Sequence, residues 1–249
     1  MLASTLAEGE TTILNAAMEP EIVDLQNFLN RMGAKIFGAG TNVIKIVGVK
    51  RLKEISYTIM PDRIETGTML CIGAATQGEI QLHNANETHI EQVIQKLRES
   101  GCKILTKKDI IYLQAPKKLK AIDLKTMPYP GFPTDMQSVM VGMLTIAKGT
   151  SVVTENIFEN RFKYTQELNR LGANIIVEGK TAIVKGKRRL YGAVVKATDL
   201  RGGASLVLAG LVAKGITNVK DIKYVQRGYE RIEEKLSNLG AKIYVKEGE

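Results

Sequence analysis

Apolar positions recur at helical spacing along 136–144. Met136, Val139, Met140, Met143 and Leu144 fall at i, i+3, i+4, i+7 and i+8, which predicts a helix with a core-facing stripe. Pro133-Thr134-Asp135 reads as the turn that opens this helix, with the Asp135 carboxylate at its N-cap. Gly149 reads as its stop, 151–154 as a short strand, and Arg161 as part of the next turn. An acid at one helix start and a base near the next would form a polar pair on an apolar scaffold.

The rest of the chain repeats this plan. Gly33, Gly101, Gly172 and Gly240 stand 68, 71 and 68 residues apart, each after an amphipathic stretch. A second series, Gly9, Gly78, Gly149 and Gly215, follows the first helix of each copy. Glycine at both places suits a helix C′ residue in the left-handed region, where a Cβ would clash. The tails Asn30-Arg31-Met32-Gly33, Asn169-Arg170-Leu171-Gly172 and Ser237-Asn238-Leu239-Gly240 agree as well, each with two polar residues and an apolar one before the glycine.

Between these helices the period changes to two. Copy one shows strands at 35–37 and 43–47 around Gly38-Ala39-Gly40, then at 55–60. Copy three shows them at 174–177 and 181–184 around Glu178-Gly179, then at 193–197. The expected fold class is α/β (α+β), built from repeated βαβαββ units with helices packed on sheets. The outer copies are incomplete. Copy one opens at Met1 already inside its first helix, and copy four runs only nine residues past Gly240. On this reading the chain is the C-terminal part of a longer protein.

Composition narrows the partners. Of 249 residues 44% are hydrophobic, enough for a substantial core, and no apolar run approaches the ~20 residues of a membrane span. The opening MLASTLAEGE lacks the basic start of a signal peptide. Cys71 and Cys102 show neither disulfide nor metal spacing and read as small core residues in a reducing cytoplasm. The net charge of +9 invites an anion, either nucleic acid or a phosphorylated small molecule. Aromatics at 5%, no Trp and scattered lysines argue against nucleic acid. His83 and His89 lack a third ligand, Gly202-Gly203 is no P-loop, and no nucleophile–base set can be assembled.

The chemistry concentrates at the helix starts. Asp62, Asp135 and Asp199 open copies two, three and four, where each can act as a cap worth ~1 kcal/mol. Twelve residues past the first-helix glycines stand Glu21, Ile90, Arg161 and Arg227. Arg201 adds a third arginine beside Asp199. Arginines at helix starts suit a carboxylate or phosphate, because forked donors and backbone N–H groups converge there. An ion pair between repeats, Arg to Asp, is the plainer alternative.

Taken together, PDRIETGT (61–68), FPTDMQ (132–137), FENRF (158–162), ATDLR (197–201) and RGYERIEEKL (227–236) resemble the UDP-N-acetylglucosamine enolpyruvyltransferase family over essentially the whole chain. These are 1-carboxyvinyltransferases that begin peptidoglycan precursor synthesis in the cytoplasm. The resemblance implies an inside-out α/β barrel with pseudo-threefold symmetry. Residues 1–61 would be the last unit of an otherwise missing first domain, and residues 62–249 a second domain of three units. Strands from the family's very N-terminus would complete the last unit.

The resemblance also implies roles. Asp135 would be the base that takes the proton from the sugar 3-hydroxyl. Arg161, Arg201 and Arg227 would hold the carboxylate and phosphate of phosphoenolpyruvate and steady the charged intermediate, Arg227 counting with Asp135 as catalytic. Asp199 would sit at the same site, and Ile157 would contact the uridine nucleotide through its backbone. Expected partners are UDP-N-acetylglucosamine, phosphoenolpyruvate and the missing N-terminal part of the enzyme, with no cofactor, metal, nucleic acid or membrane. The family's mobile-loop acid, a cysteine or aspartate, has no match here, so the chain alone is expected to be inactive. The alternatives are a catalytically inactive anion- or nucleotide-binding remnant and an RNA-end-processing protein of related fold.

Overall fold

The computed structural model describes residues 1–246 and divides into two compact units, Met1–Asp62 with Pro128–Gly131, and the remainder. In the first unit, β1 (Glu10–Leu14), α1 (Pro20–Arg31), β2 (Lys35–Phe37) and β3 (Val43–Val47) follow a short 3-10 turn at Leu2–Ser4, where the remainder of a first helix was expected. The sheet order is β1-β3-β2, all antiparallel, with Ile13 opposite Ile44 and Ile36 opposite Ile46. Leu29 of α1 closes a small core on Ile36, Ile44 and Ile46.

The expected strand over 55–60 does not form. Residues 51–60 join no ladder. Instead they are held along α1: Lys53 N–H donates to the Met32 carbonyl, and the Tyr57 hydroxyl donates to Asp24 Oδ1 at 2.8 Å. The Tyr57 ring meets Phe28 edge-on at 5.3 Å, and the Arg31 guanidinium lies over it. β-rich composition without a neighbouring edge leaves extended chain, not sheet.

The second unit contains α2 (Arg63–Ala75), β4 (Glu79–Leu82), α3 (Glu91–Glu99), β5 (Lys103–Lys107), β6 (Ile110–Gln114) and β7 (Leu124–Lys125). Then come α4 (Thr134–Leu144), β8 (Thr150–Thr154), α5 (Thr165–Arg170), β9 (Ile175–Glu178), β10 (Thr181–Lys185) and β11 (Val194–Lys196). The remainder is α6 (Leu200–Val212), β12 (Asn218–Lys220), α7 (Lys223–Gln226) and α8 (Ile232–Asn238). The orders β4-β6-β5 and β8-β10-β9 repeat that of the first unit, the latter with β7 added beside β8. β7 and β11 each pair parallel with the first strand of the following copy, β8 and β12, which makes the unit βαβαββ.

Helices α2, α4 and α6 contact one another and are buried on nearly all sides. Met136, Met140, Leu70 and Leu206 are fully enclosed. Sheets with one apolar face surround this helical centre, and no sheet closes on itself among the described residues. Cys71 and Cys102 are both in this core, as read from the sequence.

The glycine rule holds at the C′ position for the second-helix series alone; the first-helix glycines lie further past their helix ends. Gly33, Gly101, Gly172 and Gly240 all take positive φ, as do Gly9, Gly149 and Gly215, but in copy two the left-handed residue is Gln77, not Gly78. Helix α4 also ends earlier than Gly149 predicts. Its last residue is Leu144, and Thr145 caps it with its hydroxyl on the Gly142 carbonyl at 2.6 Å.

Candidate active site

The starts of α4 and α6 and the turn between β8 and α5 bring Asp135, Arg201 and Arg161 together. Asp135 is not the N-cap. Pro133 occupies that place, and Asp135 is the second helical residue, with no capping hydrogen bond. Its carboxylate is turned to two arginines instead: Oδ1 accepts from Arg161 Nη2 at 2.7 Å, and Oδ2 accepts from Arg201 Nη2 at 2.9 Å. Asp199 does cap. It accepts from the N–H groups of Arg201 and Gly202 at 3.0 and 2.8 Å and so fixes the first turn of α6. Asp62 directly precedes α2.

Burial alone would raise the Asp135 carboxyl, but the Arg201 and Arg161 guanidinium groups outweigh it and hold the group below its ordinary range. The arginines keep donors to spare. Arg161 Nε and Arg201 Nη1 are buried without a partner, a costly state unless an anion completes it. The Arg161 guanidinium lies over the Phe158 ring at 4.9 Å and that of Arg201 over the Tyr229 ring at 5.6 Å, both within cation–π reach.

A cleft of about 310 Å³ lies over this pair, lined by Asp135, Arg161, Thr198, Asp199, Arg201, Tyr224 and Arg227. Arg227 follows α7, is exposed, and makes no ion pair among the described residues. Thus five of the six residues singled out from the sequence line one cleft. Ile157 does not: it is 40% exposed, and its N–H donates to Glu155 Oε1 at 2.8 Å.

The two glycines beside Arg201 serve packing. A Cβ on Gly202 would come within 2.8 Å of Asp199 and Tyr164, and one on Gly203 within 2.5 Å of Val225. Glu155, Thr198, Tyr224 and Tyr229 were not read from the sequence. For Glu155 the signal was available, since Ser151, Val153 and Glu155 alternate on the buried side of β8 and just beyond it. His83 bonds Gln81 and His89 bonds Asn86. Among the described residues no three His, Cys, Asp or Glu gather at metal-ligand spacing, and no helix is long and apolar enough to cross a membrane.

Repeated units around three buried helices, with a carboxylate and arginines at the helix starts, define an enolpyruvyl transferase fold. The chain superimposes on the enolpyruvyl transferase NikO from Streptomyces tendae with a TM-score of 0.86 at 26% identity, covering 98% of this chain and 58% of that one. EPSP synthase from Acinetobacter baumannii gives 0.75 at 21% identity over 99% and 60%, a likeness of fold. Residues 1–236 match the EPSP synthase (3-phosphoshikimate 1-carboxyvinyltransferase) family, and the chain belongs to it.

Within that family it is 56% identical over 246 residues to UDP-N-acetylglucosamine 1-carboxyvinyltransferase 1 of Caldanaerobacter subterraneus subsp. tengcongensis. It is 50% identical over 243 residues to UDP-N-acetylglucosamine 1-carboxyvinyltransferase of Geobacter metallireducens. These matches cover 99% and 98% of this chain but 59% and 58% of the relatives, so the chain spans about three fifths of their length.

Proposed function

We propose that this chain carries one face of an enolpyruvyl transfer site acting on phosphoenolpyruvate and UDP-N-acetylglucosamine in peptidoglycan precursor synthesis. The observation that carries the reading is the pair of buried, unfilled guanidinium donors beside Asp135 in the cleft. Arg161, Arg201 and Arg227 take the carboxylate and phosphate of phosphoenolpyruvate. As they turn to the anion they release Asp135, whose carboxylate then becomes a better base. The sugar 3-hydroxyl gives its proton to Asp135 as its oxygen bonds to C2 of phosphoenolpyruvate, and a proton adds at C3. Loss of that C3 position's proton and of phosphate then leaves the enolpyruvyl ether.

The acid for C3 comes from outside this chain. Cys71 and Cys102 are buried in the core, where burial pushes the Cys102 thiol up to about 11 and the Cys71 thiol further still, and neither lines the cleft, so neither serves. A nucleotide contact from the Ile157 backbone falls to its carbonyl, since the N–H is taken. Residues 1–61 are read as the last unit of a first domain and residues 62–249 as a second domain, in keeping with the greater length of the relatives.

The double ion pair on Asp135 also favours a second reading, an anion-binding remnant without turnover. Titration calorimetry with phosphoenolpyruvate tests the anion site that both share. Binding should weaken at least about tenfold in Arg201→Ala, as expected for a lost charge-assisted hydrogen bond. An affinity within twofold of the parent would remove Arg201 from the site.

A further inference from the structure

Glu155 is 1% exposed and forms no ion pair among the described residues. It continues the inward alternation of Ser151 and Val153, where an apolar side chain would fill the core at no desolvation cost. What it meets instead is a set of donors. Oε1 accepts from Thr126 Oγ1 at 2.8 Å, Ile157 N at 2.8 Å and Phe158 N at 3.1 Å, and Oε2 accepts from Thr134 Oγ1 at 3.0 Å. Thr126 reinforces the same loop, since its Oγ1 accepts from Asn156 N and its carbonyl from Asn156 Nδ2.

The two arms of Glu155 lead to the two halves of one ion pair. Thr134 is the first residue of α4, and the next peptide carries Asp135. Phe158 carries the ring over which Arg161 lies, and Arg161 Nη2 returns to Asp135 Oδ1 at 2.7 Å. Glu155, Thr134, Asp135, Arg161 and Phe158 therefore form a closed ring of contacts with the carboxylate of Glu155 at its base.

Resting on the transfer reading above, we propose that Glu155 is a positioning residue: by closing this ring it sets the placement of Asp135 against Arg161. It touches no substrate. Its role is to hold the base and the anion holder at a fixed separation on two elements, the start of α4 and the loop after β8.

The test follows the Asp135 side-chain carboxyl by carbon NMR across pH in the whole chain, as parent, Glu155→Ala, Glu155→Gln and Thr134→Val. In the parent this carboxyl titrates below its ordinary range. Loosening the ring in Glu155→Ala should raise its proton affinity at least about threefold, half a pH unit. Thr134→Val, which cuts one arm and leaves the other three bonds, should move it the same way by less. Glu155→Gln keeps an oxygen for the three donors and offers its amide to the Thr134 hydroxyl, so it should restore the parent midpoint. A purely structural role lowers the melting temperature of Glu155→Ala without moving Asp135, and that result would overturn the proposal. If Glu155→Ala does not melt cooperatively, an unmoved Asp135 in Thr134→Val overturns it equally. Phosphoenolpyruvate affinity, expected to fall about tenfold in Glu155→Ala, separates the two readings. A parent that does not bind phosphoenolpyruvate sinks the transfer site, while the carboxyl titration still decides the ring.

Discussion

At Asp135 desolvation and two guanidinium groups pull in opposite directions, and the arginines win. A carboxyl whose folded value lies below its unfolded value stabilises the fold above the unfolded value, near 3.8, and loses that contribution as pH falls through the folded value. Asp135→Asn leaves two half-buried arginines facing each other and should therefore be less stable than the parent at neutral pH. The difference in urea midpoint should hold from about pH 7 to about pH 5 and shrink towards zero by about pH 2. A difference that is flat, or that grows on acidification, would show that the arginines do not hold this carboxylate ionised. The sequence brought Asp135, Arg161 and Arg227 into view through their phase in the repeat, and Arg201 through its place beside Asp199. It left open whether the aspartates cap or pair, because a residue one place inside a helix and one at its cap look alike in sequence. The structure separates them: Asp199 caps, and Asp135 pairs.

At the level of elements, the hairpins were legible because each is local, with a glycine at the turn and alternation on either side. The parallel pairings β7 with β8 and β11 with β12 were not, because they join short strands of different copies across a helix. The strand expected over 55–60 failed for the same kind of reason, since its edge partner is a matter of tertiary context. The repeat nonetheless reaches individual hydrogen bonds. The residue after the third strand of each of the first three copies donates its N–H to the first-helix glycine: Gly48 to Gly9, Ala115 to Gly78, and Gly186 to Gly149. A Cβ at Gly186 would lie 1.6 Å from the Ala147 carbonyl oxygen, as one at Gly48 would from Ala7. Copy two accommodates Ala115 where the preceding helix turns at Gln77 rather than at its glycine. Gly186→Ala should therefore destabilise the chain by about 3 kcal/mol, the upper range for overpacking, read as a lower urea midpoint with unchanged slope. A loss below about 0.5 kcal/mol would mean that the crossing relaxes freely.

For the molecule as a whole, three buried helices form a scaffold, and the starts of two of them, α4 and α6, meet at one cleft, so residues far apart in sequence, Asp135, Arg161, Arg201 and Arg227, share it. That convergence was legible because the repeat puts equivalent positions at equivalent helix ends. The alternation of Ser151, Val153 and Glu155 marked Glu155 as inward-facing, but its contacts were not legible, because its four partners come from three separate places in the chain, Thr126, Thr134 and the Ile157-Phe158 pair. The chain accounts for about three fifths of the length of its relatives, and on the present account it supplies the base and the anion holders of the transfer site but not the acid. The most direct test is phosphate release from phosphoenolpyruvate and UDP-N-acetylglucosamine, measured for this chain alone and with the remaining N-terminal portion of a relative added. The account predicts no release by the chain alone. It predicts release on addition, lowered ~10²–10⁴-fold when the chain carries Asp135→Ala. Release by the chain alone, or release that survives Asp135→Ala within threefold, would contradict it.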